Sequence, residues 1–521
     1  MSTGRTADFD DRPALWGGSV TPRVAIVGAG IGGLGQAVEL LQSGISTFTV
    51  FERSAGPGGT WWDNTYPGAA CDIPSLLYSF DFMNVRWKRT HASQAEIQEY
   101  LETVIDRFGF RDHIRFGTGV KAAEWDESLQ AYRLTTDDGA VHVFEIVVSA
   151  VGMLNVPNEV RLPGLESFTG EVVHSARWGR DREVAGKRVA VIGAGASAAQ
   201  IIPAIVDDVG HLVSFQREPS WVLPKDERTF DAAEFAELAS PRTRLQRRRE
   251  ILKGVDSALT VAEEIEGEVA QRFREIGLRH LRESLPDRPD LVELLTPTYP
   301  LRCKRTVQSN TLLPALAKDN VQLVPRGVAA FSEQGLVDTD GVEHRVDLVV
   351  LATGFQTTDY LATMELRGRG GRSLHEYWEQ DPRAFLGITV PGFPNFFMLY
   401  GPNTHGTVVS YVLERQAEFV AASVREMVRR RAGAVEVRAS FAELFDRILQ
   451  RAIGRVPAWT GGCHNYYHSP SGRNVTQWPW SHNRYRLATR LLRRPSSRWS
   501  RVRPAPPTRT AEQADEQQAL A

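Results

Sequence analysis

One short pattern occurs twice in this chain: RVAIVGAGIGG at 23–33 and KRVAVIGAGASAA at 187–199. Each begins with a short apolar run, passes through closely spaced glycines and enters a helical pattern. Each then reaches a second apolar run, TFTVFE at 47–52 and LVSFQRE at 212–218. Runs that are apolar throughout belong in a parallel sheet covered on both faces. The repeat is an internal duplication and constrains the chain to an α/β fold with two Rossmann-like dinucleotide-binding domains. Further buried-strand runs are EIVVSAVG (145–152) and DLVVLATGF (347–355). A helix opens at the Ser93-x-x-Glu96 capping box.

This order predicts a discontinuous first domain, 22–160 and 341–495, with the second domain, 161–340, inserted in it. Residues 226–300 turn helical and charged and read as a helical insertion in the second domain. A polar, mobile start is expected over 1–21 and a disordered Pro-, Arg- and Gln-rich tail over 496–521. A net charge of -2 gives no reason to expect a nucleic-acid partner. Three cysteines (Cys71, Cys303, Cys463) build no disulfide framework, which predicts a reducing compartment. The acidic N-terminus lacks the form of a signal peptide. No apolar run reaches the roughly 18 residues of a membrane span. A cytoplasmic enzyme is expected, of open oligomeric state.

Gly28, Gly30 and Gly33 fit G-x-G-x-x-G between a strand and a helix. Glycines there allow a tight turn, close approach of the backbone to a pyrophosphate, and helix–strand contact, with the phosphates at the helix N-terminus. Glu52 closes the next strand, where a carboxylate accepts from ribose hydroxyls, so the first site suits FAD or NAD. The second turn has Gly193 and Gly195, then Ser197-Ala198. Its following strand ends in Arg217, a guanidinium that binds a 2′-phosphate bidentately, so the second site prefers NADPH. Two such sites describe a flavoprotein that passes hydride between cofactors. A paired redox cysteine motif is missing, so the electrons go to oxygen or another acceptor.

Between the turns lies FTGEVVHSARWG (168–179), with Phe168-x-Gly170-x-x-x-His174-x-x-x-Trp178. This resembles the fingerprint of type I Baeyer–Villiger monooxygenases, within the flavin-containing monooxygenase superfamily; Gly179 stands where the family usually has Pro or Asp. GGTWWDNTYPGAACDIPSLLYSFDF (58–82), PLRCKRTVQSN (300–310), LATGF (351–355) and GFPNFFMLYGPNT (392–404) resemble the family in order and spacing. The resemblance implies an enzyme that uses FAD, NADPH and O2 to insert oxygen beside a ketone carbonyl, giving an ester or lactone through a C4a-peroxyflavin. It implies that Thr60 and Trp61 line the flavin, Tyr78 packs near it, and Asp72 is the active-site aspartate. It makes Arg305 the catalytic arginine, Lys304 the binder of the NADPH phosphate, and His174 a residue coupling NADPH binding to flavin chemistry. Such a fixed arginine stabilises an anionic peroxide and the adduct it forms on a carbonyl. The alternative is oxygenation of a soft N or S atom, where that arginine matters less.

In the stretch His464-Asn465-Tyr466-Tyr467-His468, beside Cys463, two histidines stand four apart. No helical pattern sets them on one face and no acidic partner follows at zinc-site spacing, so no metal is expected. By weaker resemblance GRNVTQWPW (472–480) shapes the substrate pocket or contacts NADPH, with Trp478 the candidate and Trp480 its competitor. The arginine runs 247–249 and 429–431 read as solvated helix faces.

Overall fold

The structure is a computed structural model that describes Trp16 and residues 19–179, 181–261, 267–406, 408–460 and 465–502. The first sheet is built from Val24–Val27 (β1), Phe48–Phe51 (β2), Ile114–Arg115 (β3) and Ile146–Ser149 (β4), all parallel. β1 and β4 are buried along their whole length, as their unbroken apolar runs require. The helix Ile31–Gln42 (α1) joins β1 to β2, and Gly44 follows it at φ +75°, the left-handed exit that suits glycine. Ser93 and Glu96 form the capping box, with Ser93 Oγ accepting from the Glu96 amide and Glu96 from the Ser93 amide.

The second sheet contains Glu171–His174 (β5), Arg188–Ile192 (β6), His211–Phe215 (β7), Val321–Val324 (β8) and Leu348–Leu351 (β9). Its order is β8-β7-β6-β9-β5, again parallel, and the helix Ala196–Ile205 (α2) joins β6 to β7. The chain then returns to the first sheet with Phe396–Met398 (β10), giving the order β10-β4-β1-β2-β3. A small sheet of Val120–Asp126, Ala131–Thr136, Val141–Phe144 and Glu365–Arg367 covers one side, sharing a core with Ala25, Val27 and Val147.

The segment FTGEVVH supplies β5, the edge strand of the second sheet, with Leu351 paired to His174. One expectation about the boundary between the domains is corrected. DLVVL, expected at the return of the first domain, forms β9 between β6 and β5. A buried apolar strand records that it is covered, but not which sheet it joins.

The expected helical insertion is present, with Pro241–Val261 (α3) and Glu268–Ser284 (α4) between β7 and β8. It reaches back to the first domain. Arg248 is 3% exposed, where a solvated face was expected. Its guanidinium pairs with Asp81 at 2.8 Å and with the buried Glu414 at 2.9 Å, the latter on Val409–Arg430 (α5). A buried cation persists only with such partners. Arg429 and Arg430 remain exposed, as expected. Cys71 is a free, buried thiol, whereas Cys303 is disulfide-bonded, contrary to the expectation of reduced cysteines. No described helix is long and apolar enough to cross a membrane.

Candidate active site

The two glycine turns open onto one cavity of ≈ 1410 Å³. At its first end Gly28 has φ +107°, and a Cβ there would sit 2.7 Å from the Ala150 carbonyl oxygen. Gly30 precedes α1 and leaves the helix N-terminus bare toward the cavity, a setting for a phosphate. Gly33 lies behind the turn and does not line the cavity. A Cβ at Gly33 would fall 1.8 Å from the Gly28 carbonyl oxygen, so this glycine serves helix–turn contact. Glu52 is 5% exposed, accepting from the Ala29 amide at 2.7 Å and the Ser54 amide at 2.8 Å. Its carboxylate lines the cavity at the end of β2. These features fit a dinucleotide: a cradle without side chains, a helix N-terminus and an acid beside the ribose position.

Midway, Thr60, Trp61, Asp72, Tyr78 and Arg305 share the wall. Trp61 Nε1 donates to the Tyr78 hydroxyl at 2.8 Å, with the rings edge to face at 5.6 Å. Burial raises the Tyr78 phenol well above its ordinary range, so it stays protonated. Arg305 donates to Asp72 Oδ2 through Nη2 at 2.6 Å and Nε at 3.2 Å. Burial pushes the Asp72 carboxyl up, but the charge and hydrogen bonds of Arg305 outweigh it and hold the group below the usual carboxylate range. Asp72 in turn keeps the guanidinium well above its ordinary value. The pair is ionised, fixed and turned toward the cavity.

At the second end Gly193 has φ +129°, and a Cβ there would lie 2.4 Å from the Ala352 carbonyl oxygen. Gly195 and Ser197 lead into α2, and Arg217 stands exposed at the end of β7; all three line the cavity. Arg326, at the end of β8, joins Arg217 in the same wall, where Asp338 orients it at 3.0 Å. Arg326 was not anticipated, although an arginine just past an apolar strand is the signal that identified Arg217. Lys304 lines the cavity, with its ammonium against the Glu218 carboxylate and 4.8 Å from the Tyr299 ring centre.

Besides Gly33, two expected site residues lie off the cavity. His174 ends β5, where Nε2 lies 3.2 Å from the Gly354 carbonyl oxygen and Nδ1 accepts from the Ala176 amide at 3.1 Å. Burial lowers its basicity, and a ring that donates from one nitrogen and accepts at the other is neutral. His174 therefore touches the cavity wall through Gly354 and, edge to face at 5.6 Å, through Phe355, both of which line it. Trp478 packs against Phe445, Trp480 and Tyr485 in the core and is 5% exposed. It does not line the cavity, because its loop turns the ring into the core. The aromatic that reaches the cavity from this region is Tyr466, joined there by Tyr400 and His405. Tyr466 lay within the stretch weighed as a metal site. His464 and Cys463 of that stretch lie outside the described residues, and the described residues hold no group of three metal-ligating side chains.

A family model described as flavin-binding monooxygenase-like matches residues 21–233. A Baeyer–Villiger monooxygenase of Streptomyces coelicolor is 40% identical over 489 residues, covering 93% of each chain. One of Pseudomonas aeruginosa is 38% identical over 480 residues, covering 90% of this chain and 89% of that protein. Among solved structures, cyclohexanone monooxygenase from Rhodococcus sp. Phi1 bound to NADP+ superposes with a TM-score of 0.83. It is 28% identical, with 94% of this chain and 100% of that chain covered.

Proposed function

The chain belongs to the flavin-dependent Baeyer–Villiger monooxygenases, and from that premise we propose that it oxygenates a ketone at the Arg305–Asp72 pair, giving an ester or lactone. The observation that carries this reading is the ionised pair in the wall shared by both nucleotide ends of one cavity. When bound, FAD reduced by NADPH supplies the activation of O2. The residues of the chain do the rest. Gly28, Gly30 and the start of α1 hold the flavin's pyrophosphate, and Glu52 its ribose. Trp61 and Tyr78 line the same wall with apolar surface and a protonated phenol. Arg305 offers a permanent positive charge where negative charge gathers on oxygen as a ketone carbonyl is attacked. Asp72 holds that guanidinium in place, so little reorientation is needed during reaction. Gly193, Gly195 and Ser197 receive the second dinucleotide, and Arg217 with Lys304 takes its 2′-phosphate.

A soft sulfur or nitrogen atom attacks an electrophilic oxygen and has no use for a cation placed to hold negative charge. The Arg305–Asp72 pair therefore favours the ketone. The test is a panel of ketones and thioethers incubated with FAD-loaded enzyme and NADPH, with products read by mass. A ketone product heavier by one oxygen is expected. Oxygenation confined to the thioethers would overturn the reading.

A further inference from the structure

His405 reaches the cavity wall from the turn that follows β10. Its backbone is pinned on both sides, with its amide donating to the Thr476 carbonyl at 2.8 Å and its carbonyl accepting from the Trp478 amide at 2.9 Å. The ring is spanned by two phenols. The Tyr400 hydroxyl is 2.7 Å from Nδ1 and the Tyr466 hydroxyl 3.4 Å from Nε2. Both phenols stand across the imidazole at 66° and 71°, with centroids 5.9 and 6.0 Å away. Tyr466 also stands in the same wall as Arg305, close enough for the two side chains to interact electrostatically. A chain of neighbours thus runs Tyr400–His405–Tyr466–Arg305–Asp72.

The segments that carry it are tied together independently. Asn465 Nδ2 donates to the Cys303 carbonyl at 2.9 Å, two residues before Arg305, and Thr357 Oγ1 donates to the Tyr466 carbonyl at 2.9 Å.

A neutral imidazole has one donor and one acceptor, so it satisfies one phenol on each nitrogen. An imidazolium would donate from both and set a second positive charge beside Arg305. Burial, with the Arg305 charge adding to it, keeps the ring neutral by lowering its pKa to about 3. Asp72 grips one edge of a guanidinium whose side chain is still 41% exposed. An arginine held at one edge keeps part of its rotamer freedom.

We propose that His405 is a positioning residue for Arg305: bridged between Tyr400 and Tyr466, it fixes the Tyr466 phenol, which gives the guanidinium a second neighbour besides Asp72. The role assigned to Arg305 rests on the reading above; the bridge itself does not.

The test uses full-length, FAD-loaded protein carrying His405→Phe, His405→Gln or Tyr466→Phe. Two readouts are taken: the rate of phenylglyoxal labelling at Arg305, measured by peptide mass spectrometry against Arg217 as internal reference, and the kcat and KM of ketone oxygenation. His405→Phe and Tyr466→Phe should each raise labelling at Arg305 at least five-fold and lower kcat about ten-fold, leaving the NADPH KM unchanged. His405→Gln keeps a donor and an acceptor, and should return both readouts to within two-fold of wild type. Unchanged labelling in Tyr466→Phe overturns the proposal, as does a Gln variant that behaves like Phe. Should His405→Phe fail to fold, the other two variants still decide. Should the wild type oxygenate no ketone, the functional reading fails while the labelling still settles the bridge.

Discussion

The two glycine turns share a backbone plan and differ in how tightly they are closed. In the first, a Cβ at position 33 would sit 1.8 Å from the Gly28 carbonyl oxygen, so nothing but glycine fits. The equivalent place in the second turn holds Ala198, whose methyl is accommodated at 1% exposure. Gly30 lies beneath the Gly58–Gly59 loop, where the Gly58 amide donates to the Ala29 carbonyl at 3.0 Å. A Cβ on Gly195 would meet nothing within 4 Å, and Gly195 and Ala196 are exposed. The charged partners follow suit, with Glu52 buried and held by two amides and Arg217 exposed. One turn is enclosed and the other open. On the reading proposed above, the enclosed turn takes the flavin and the open one the nicotinamide cofactor.

The comparison breaks most visibly at its tightest point. Gly33→Ala should give colourless protein, because the added methyl must displace the turn that carries the pyrophosphate; overpacking of this kind costs about 1–3 kcal/mol or more. Ala198→Gly should cost about 1 kcal/mol, the price of glycine within a helix, with flavin content unchanged. Absorbance at the flavin band relative to protein, with thermal melts, measures both. A yellow Gly33→Ala variant would remove the distinction between the turns.

Arg305 separates the units in another way, since it belongs to the second domain's stretch yet, on the proposed reading, would serve chemistry at the first domain's cofactor. Arg305→Ala should lower kcat for ketone oxygenation about 10²–10³-fold, the usual loss for one preorganised electrostatic donor. Flavin content and the NADPH KM should hold, and NADPH should still be consumed, yielding H2O2. A KM that rises as much as kcat falls would make Arg305 a nucleotide-binding residue instead.

Arg217→Ala addresses the open turn. Loss of a charge-assisted contact worth about 1.5–3 kcal/mol should raise the NADPH KM roughly ten- to a hundred-fold and leave the NADH KM alone. Steady-state kinetics with both cofactors checks this. Equal rises for the two would place Arg217 away from the 2′-phosphate.

The turns, α1 and α2, Glu52 and Arg217 were legible because each is fixed by a few neighbours in sequence: strand, glycine, helix, strand end. Asp72 and Arg305 were found through resemblance alone. They are 233 positions apart, and no local pattern brings them together. The same reason hid the Tyr400–His405–Tyr466 bridge, whose members meet only because the chain returns after β10. The aromatic-rich stretch 466–480 forms loops without a period, so the sequence could not say that Tyr466 faces the cavity and Trp478 the core. Arg248 sat in a run of arginines that reads as solvated, while its carboxylates, Asp81 and Glu414, lie in distant segments.

The last comparison sets the two domains' histidines against each other. Both His174 and His405 are held neutral by burial, but His405 is enclosed while His174 is half-buried. The groups around His405 are Tyr400, Tyr466 and Tyr467, with Arg305 opposing a positive ring and Asp72 weakly favouring one. A histidine whose folded pKa lies below its unfolded value near 6.5 takes up its proton more readily in the unfolded chain. Its contribution to stability is complete above about pH 6.5 and is lost progressively as pH falls toward the folded value of about 3. One proton sets a slope of up to about 1.4 kcal/mol per pH unit across that window. Guanidinium unfolding of wild type, His405→Gln and His174→Asn between pH 4 and 7 measures the slope. His405→Gln should be the shallower by up to that amount, and His174→Asn should differ from wild type by less. A His405→Gln curve parallel to wild type would mean that the ring at the first domain's return carries its proton within the fold, and the contrast with His174 would vanish.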